Sequence, residues 1–89
     1  MRLVARILGR VQGVGFRYYV THLARQLGIT GWVRNEPDGS VLVIAEGPRK
    51  TLEELLEHLH KGPPAARVRH VAYAWEPATG EFDTFTIRF

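Results

Sequence analysis

The segment from Gly9 to Arg17 joins three glycines to an arginine at the predicted start of a helix. Glycine lets a backbone turn tightly and come close to a ligand. The first N–H groups of a helix have no internal partner, so together with such a loop they form donors suited to a phosphate-sized anion. Arg17 adds a planar cation that can form two parallel hydrogen bonds. A cation is mildly unfavourable at a helix start unless an anion accompanies it, so the segment favours an anion site over a glycine loop with a purely structural role.

Asn35 is the second residue whose position suggests chemistry. It ends the second predicted strand, which runs parallel to the first with another strand between them. Asn35 and the glycine loop are therefore expected at the same edge of the sheet. Its amide offers both a donor and an acceptor, which can hold a water molecule. Asparagine is also common before turns for purely structural reasons, so residue type alone leaves both interpretations open.

Hydrophobic periodicity predicts the elements that must position these two residues. Alternating apolar residues predict a strand, and apolar residues at steps of three and four from Phe16 to Leu27 predict a helix that Gly28 ends. A second helix is predicted to open at Gly47-Pro48, with Pro at its first position, or else at a capping box beginning at Thr51. Strands are predicted over residues 3–8, 29–35, 40–46, 68–76 and 82–89, and residues 9–15 are predicted to be a loop.

The predicted order, β-α-β-β-α-β-β, indicates an α+β class fold. It is the ferredoxin-like split β-α-β arrangement, with two helices on one face of an antiparallel sheet of four to five strands. Right-handed crossovers give the order 4-1-3-2 for the first four strands, and the pattern does not place the fifth. Leu42 and Ile44 are expected on the face away from the helices, beside Val4 and Leu8. They are either scattered surface residues or a weak oligomer contact. No linker divides residues 1–89, so we expect a single domain.

Composition excludes several kinds of site. The 89 residues include no cysteine, which removes disulfides, thiolate metal sites and thiol nucleophiles. No histidine pair has convincing metal-ligand spacing, and no Walker-type motif is present. The loop glycines also miss the dinucleotide-binding pattern, because Tyr18 stands where the third glycine would be. The longest apolar run, residues 41–45, is far shorter than the ~20 residues that span a bilayer. The alternating N-terminus is unlike a signal peptide, so a cytoplasmic protein is expected.

Charge is unevenly distributed along the chain. Residues 1–50 carry eight Lys or Arg against three acids, or 8 − 3 = +5, whereas residues 51–89 carry 4 − 6 = −2. A positive half favours an anionic partner. Ten of the twelve cations are arginine and Asn35 is the only asparagine, a bias expected either of a thermophile or of a GC-rich genome.

Two motifs together resemble those of a known family. Residues 9–17 read GRVQGVGFR, residues 31–35 read GWVRN, residues 38–41 read DGSV, and residues 45–47 read AEG. In sequence and separation these segments are similar to the signatures of the acylphosphatases, and the resemblance covers essentially the whole chain. It implies a small ferredoxin-like hydrolase that cleaves carboxyl-phosphate mixed anhydrides to a carboxylate and inorganic phosphate.

The resemblance also implies roles for individual residues. Arg17 is similar to the family's phosphate-binding arginine and Asn35 to its water-positioning asparagine. The substrate's phosphate would lie in a backbone cradle formed by Gln12, Gly13, Val14, Gly15 and Phe16. No cofactor or metal is implied. The expected ligands are a small-molecule acyl phosphate and, as competing anions, inorganic phosphate or sulfate. A monomer that binds neither nucleic acid nor membrane is expected.

Two other functions remain as alternatives. Ferredoxin-like folds with basic surfaces often bind RNA through aromatic residues on the open sheet face, for which Trp32, Tyr73 and Trp75 are candidates. However, the chain lacks the aromatic-glycine motif of those modules. The second alternative is an acylphosphatase-like module of a carbamoyl-phosphate-handling protein. Such modules occur in much longer chains, so 89 residues from Met1 favour a free-standing enzyme. Binding without turnover would identify either alternative.

Overall fold

The computed structural model describes all residues from 1 to 89, in five strands and two helices. In chain order the elements are β1 (Arg2–Arg10), α1 (Phe16–Gln26), β2 (Thr30–Asn35), β3 (Val41–Glu46), α2 (Arg49–Lys61), β4 (Arg67–Glu76) and β5 (Phe85–Arg88).

The five strands form one sheet in the order β4-β1-β3-β2-β5. The predicted fold class and the order of the first four strands are therefore confirmed. Strand β1 pairs antiparallel with both β3 and β4, and β3 pairs antiparallel with β2. Strand β5, which the sequence pattern could not place, pairs parallel to β2 at the edge opposite β4. The loop before β5 therefore crosses the end of the sheet.

The core lies between the sheet and the two helices, as the periodicity predicts. Alternate residues of β1 point toward the helices, and one row of apolar side chains on each helix covers them. Strand β5 contributes Phe85, which is fully buried. The buried residues of the helices are Phe16, Val20, Thr21 and Ala24 in α1 and Leu52, Leu55, Leu56 and Leu59 in α2.

The predicted elements differ from the observed ones by one to three residues at one or both ends. Gly9 and Arg10 remain in β1, because a bulge after Leu8 lets the strand continue its pairing with β4. Helix α2 begins at Arg49, so Pro48 is its N-cap rather than its first residue, and the start at Thr51 is not used. Strand β5 is shorter than predicted, because residues 82–84 belong to the loop that crosses the sheet end.

The sheet face away from the helices is partly apolar. Val4 lies opposite Ile44, and Arg6 lies opposite Leu42, so the predicted placement of Leu42 and Ile44 on this face is confirmed. Ile44 is nearly buried, with only 8% of its surface exposed. Of the three aromatic residues proposed for RNA stacking, only Trp32 lies on this face, opposite Ile44.

Tyr73 and Trp75 lie on the other side of the sheet. They pair with the core-facing Ala5 and Leu3 and line a groove with residues of α2. The Arg49 guanidinium lies 3.9 Å from the centre of the Trp75 ring. Two of the three candidate stacking residues are therefore absent from the open face.

The loop before β5 is fastened by the buried carboxylate of Glu46. Its oxygens accept hydrogen bonds from the backbone N–H groups of Thr79 and Gly80, from the Thr79 hydroxyl and from Arg2. Burial acts to raise the pKa of Glu46, but these donors outweigh it and bring the pKa down to about 2. Arg2 also bonds Glu81, at 2.7 Å. The carboxylate therefore fixes the crossing loop to the end of β3.

This carboxylate should make stability depend on acidity. Because the pKa of Glu46 is depressed in the folded state, its contribution is complete above the ordinary value of 4.5 and is lost as pH falls toward about 2. The expected contribution is about 2 kcal/mol. Glu46→Gln should lower the free energy of unfolding by that amount at pH 7. Between pH 5 and 2, the free energy of unfolding should fall less steeply in the variant than in the wild type. Denaturant unfolding across this range measures it. Glu76→Gln, at an exposed carboxyl, is the control, and an equal loss there would contradict the assignment.

Candidate active site

The loop between β1 and α1 presents a run of free backbone donors. No N–H group from Gln12 to Tyr18 donates a hydrogen bond within the protein. The first intrahelical bond of α1 runs from the Tyr19 N–H to the Gly15 carbonyl, at 3.0 Å. The loop and the first turn of the helix therefore offer consecutive donors at one end of α1, where the helix dipole also favours negative charge.

Two glycines give the loop its shape. Gly13 and Gly15 have φ angles of 73° and 79°, in the left-handed region that other residues rarely occupy. Gly15 is the N-cap of α1, and its lack of a side chain leaves the N–H groups of the first turn uncapped. A Cβ at either glycine would meet open space, so the backbone angle, rather than crowding, requires glycine here.

Arg17 stands in the first turn of α1, which contains no acidic residue. Its guanidinium forms no ion pair and no hydrogen bond with the protein, although it lies 5.1 Å from the centre of the Phe89 ring. Two contacts hold the surrounding turn. The Thr21 hydroxyl donates to the Arg17 carbonyl at 2.8 Å, and the Tyr19 hydroxyl donates to the His58 carbonyl at 3.1 Å. Burial raises the pKa of Tyr19, which keeps that donor protonated.

The Gln12 side chain ties the loop to the hairpin that carries Asn35. Its amide nitrogen donates to the carbonyls of Glu36 and Ser40, at 2.8 and 2.9 Å. Ser40 is the residue just before β3, and its carbonyl also accepts the Glu36 N–H at 2.9 Å. The loop and the hairpin are therefore held together one residue beyond Asn35.

The hairpin is itself held by charged and polar side chains. The buried Ser40 hydroxyl donates to Asp38 at 2.6 Å and accepts a bond from Arg6 at 2.9 Å. The hydrogen bonds from the Ser40 hydroxyl and N–H lower the pKa of Asp38, so it stays ionised. Arg34 bonds Glu36 at 2.9 Å. These contacts fix the end of β2, where Asn35 lies.

Arg17 and Asn35 line one pocket of about 180 Å³. The predicted loop residues Gly13, Gly15 and Phe16 line it as well. The other two predicted loop residues do not. The Gln12 side chain turns to the hairpin, and Val14 packs against the core, so each can contribute only its backbone.

Two lining residues were not singled out from the sequence. Val11 forms the buried wall of the pocket, and Tyr18, which is 68% exposed, stands at its mouth. Tyr18 directly follows Arg17 in the first helical turn, which was the available signal. A larger groove of about 400 Å³ lies on the sheet face away from the helices. Its Arg2 is already paired with Glu46 and Glu81.

No three His, Asp or Glu side chains lie close enough together to hold a metal ion. Neither helix is long and apolar enough to cross a membrane.

Comparison with known proteins agrees with the geometry. The family model described as Acylphosphatase matches residues 3–87. A curated acylphosphatase of Salinibacter ruber is 54% identical over 98% of this chain and 92% of its own length. The chain belongs to the acylphosphatase family. The predicted resemblance is therefore confirmed, as is the prediction of an enzyme of this type.

Solved structures support the same assignment. The crystal structure of acylphosphatase from Bacillus subtilis matches with a TM-score of 0.95 and 34% identity, covering 99% of this chain and 98% of that one. T. kodakarensis HypF matches with a TM-score of 0.85 and 30% identity, and the match spans 12% of that longer chain. The acylphosphatase fold therefore also occurs as part of a much larger protein.

The tie made by Gln12 should be measurable. Gln12→Ala leaves the carbonyls of Glu36 and Ser40 without this donor, so we expect about 1–2 kcal/mol lower stability and weaker phosphate binding. Thermal unfolding and titration with inorganic phosphate measure the two effects. Gln26→Ala, at an exposed glutamine of α1, is the matched control. Unchanged phosphate affinity in Gln12→Ala would show that the loop keeps its shape without this tie.

Proposed function

We propose that this acylphosphatase-family enzyme hydrolyses acyl phosphates by direct in-line attack of water on phosphorus. In this proposal the loop N–H groups and Arg17 bind the phosphoryl oxygens, and Asn35 holds the attacking water. One observation carries it: Arg17, the uncapped start of α1 and Asn35 share a single pocket. This shared pocket supports the proposal that charge stabilisation and water positioning act on the same phosphate group.

The reaction needs no protein nucleophile. The water oxygen forms a bond to phosphorus while the bond from phosphorus to the acyl oxygen breaks, and that bond's electron pair leaves with the carboxylate. A carboxylate is a good leaving group, so positioning and charge stabilisation are the main requirements. Arg17 and the loop N–H groups are positive partners that can follow the phosphoryl charge into the transition state.

The water proton goes to an oxygen of the substrate's own phosphate in this mechanism. The pocket lining contains no Asp, Glu or His that could act as a general base. The pH–rate profile should therefore follow substrate ionisation. A rate controlled by one ionising side chain, and abolished by one substitution, would count against this step.

Hydrolysis of benzoyl phosphate, followed by the loss of its ultraviolet absorbance in the presence of a chelator, tests the proposal. We expect rapid turnover that inorganic phosphate inhibits competitively, because phosphate occupies the same cradle. Acetyl and carbamoyl phosphate serve as further substrates, since the pocket binds the phosphoryl end of the molecule. Phosphate binding without turnover would instead indicate a binding module, and turnover that stops with the chelator would indicate a metal requirement.

A further inference from the structure

Tyr18 is an exposed aromatic residue that has no partner within the protein. Its hydroxyl forms no hydrogen bond, and no other ring or cation lies against its own ring. The other two exposed rings each have a partner, because Tyr73 packs edge to face on Trp75 and Phe89 lies against Arg17. A ring left in water gains little from burial, so the stability of the fold does not explain Tyr18.

The position of Tyr18 in α1 places this ring beside the anion site. It directly follows Arg17 in the first turn of the helix and lines the same pocket as Arg17 and Asn35. Exposure increases along this turn, from the buried Phe16 through the half-buried Arg17 to Tyr18. The ring therefore stands where the pocket opens to solvent.

Few other side chains of the pocket are free to contact the acyl end of a substrate. In the proposed mechanism, Arg17 and Asn35 serve the phosphoryl group and the attacking water. The remaining four lining residues are either glycines or buried side chains: Gly13, Gly15, Val11 and Phe16. Tyr18 is thus the one large side chain of the pocket lining that is exposed and has no other task.

We propose that Tyr18 is the residue that contacts the acyl group and that its ring favours acyl phosphates with a flat, apolar acyl group; this rests on the proposed function of the pocket. Because the phosphoryl group binds at the N–H donors of the loop, the acyl group extends toward the mouth, where the ring stands. An aromatic acyl group packs on such a ring by offset stacking or edge to face, whereas an acetyl group is too small to cover it. Tyr18 then acts on the choice of substrate and not on the bond that breaks.

Comparison of two substrates isolates this contact. In Tyr18→Ala, kcat/KM for benzoyl phosphate should fall about two- to tenfold, as expected for the loss of one aromatic pair, and mainly through a higher KM. The same constant for acetyl phosphate and the inhibition constant of inorganic phosphate should not change, because neither ligand covers the ring. Tyr18→Phe keeps the ring and should preserve all three values.

Unreactive analogues test the same contact without turnover. Phenacylphosphonate and acetonylphosphonate carry a CH2 group in place of the bridging oxygen, so neither can release a carboxylate. Titration calorimetry should show about two- to tenfold weaker binding of phenacylphosphonate to Tyr18→Ala, with acetonylphosphonate unaffected. A protein that binds these analogues but hydrolyses no acyl phosphate would still give this comparison, so the two proposals fail separately.

The control and the contrary outcomes are distinct. Tyr73→Ala removes another exposed tyrosine, outside the pocket, and should leave the ratio between the two substrates unchanged. Thermal unfolding of Tyr18→Ala should match the wild type, because the ring has no packed contact and alanine favours helix. Wild-type binding of phenacylphosphonate in Tyr18→Ala would overturn the proposal. An equal loss for both analogues would assign Tyr18 to the phosphoryl end, and an equal loss in Tyr18→Phe would assign the effect to the hydroxyl, and either result would also overturn it.

Discussion

Arg17→Ala should lose turnover and phosphate binding together. The guanidinium is the only side-chain cation lining the pocket, and loss of a preorganised charge contact costs on the order of 3 kcal/mol or more. We therefore expect kcat/KM for benzoyl phosphate to fall at least about 100-fold, with a parallel loss of phosphate affinity in titration calorimetry. Arg17→Lys keeps the charge but not the planar guanidinium, so its activity should lie between that of the wild type and that of Arg17→Ala.

The same substitution should leave the fold intact. The Arg17 guanidinium forms no ion pair within the protein, and a cation at a helix start opposes the helix dipole by about 0.3–1 kcal/mol. Stability should stay the same or rise slightly. Arg69→Ala, at an exposed arginine of β4, removes equal charge elsewhere and should retain activity. Normal turnover in Arg17→Ala would refute the proposed site.

Asn35→Ala should separate rate from binding. If the amide holds the water rather than the anion, kcat should fall by about 10²- to 10³-fold, while phosphate affinity stays within about twofold of wild type. Steady-state kinetics with benzoyl phosphate and competition by inorganic phosphate measure the two quantities on the same sample.

Asn35→Asp provides the companion variant for this test. It keeps the size of the side chain but replaces the amide donor with a negative charge near the anion, so both rate and affinity should fall. A loss of phosphate affinity in Asn35→Ala equal to its loss of rate would show that Asn35 contacts the phosphate instead of the water.

Most of the fold was predictable because it follows from local hydrophobic periodicity and from the right-handedness of crossover connections. The change from alternating residues to steps of three and four at Phe16 predicts where the helix runs, whereas the preceding strand continues two residues beyond its predicted end, to Arg10. Right-handed crossovers then place the C-terminal end of β2 and the start of α1 at the same end of the sheet. The prediction that Arg17 and Asn35 lie near each other follows from topology alone, and the structure lines one pocket with both. Their roles stay predictions until the variants are measured.

The position of β5 could not be predicted, because both sheet edges are open to a short strand. What decides it is a loop crossing the sheet end, fixed by hydrogen bonds from Thr79 and Gly80 to Glu46. Contacts between residues more than 20 positions apart carry no periodic signal. The same holds for the Gln12 side chain and for Phe89, whose partners are set by the fold.

The free donors of the β1–α1 loop belong to the main chain, which every residue type except proline supplies alike. Substitutions within the loop therefore leave the N–H donors unchanged, provided that glycine is kept where φ is positive, at Gly13 and Gly15. In the proposed mechanism, recognition of the phosphate therefore depends on the conformation of the loop and not on the side chains of its residues. In the proposed site, affinity can then be adjusted through side chains, by the cation at Arg17 or by the hydrogen bonds of the Gln12 side chain to the hairpin.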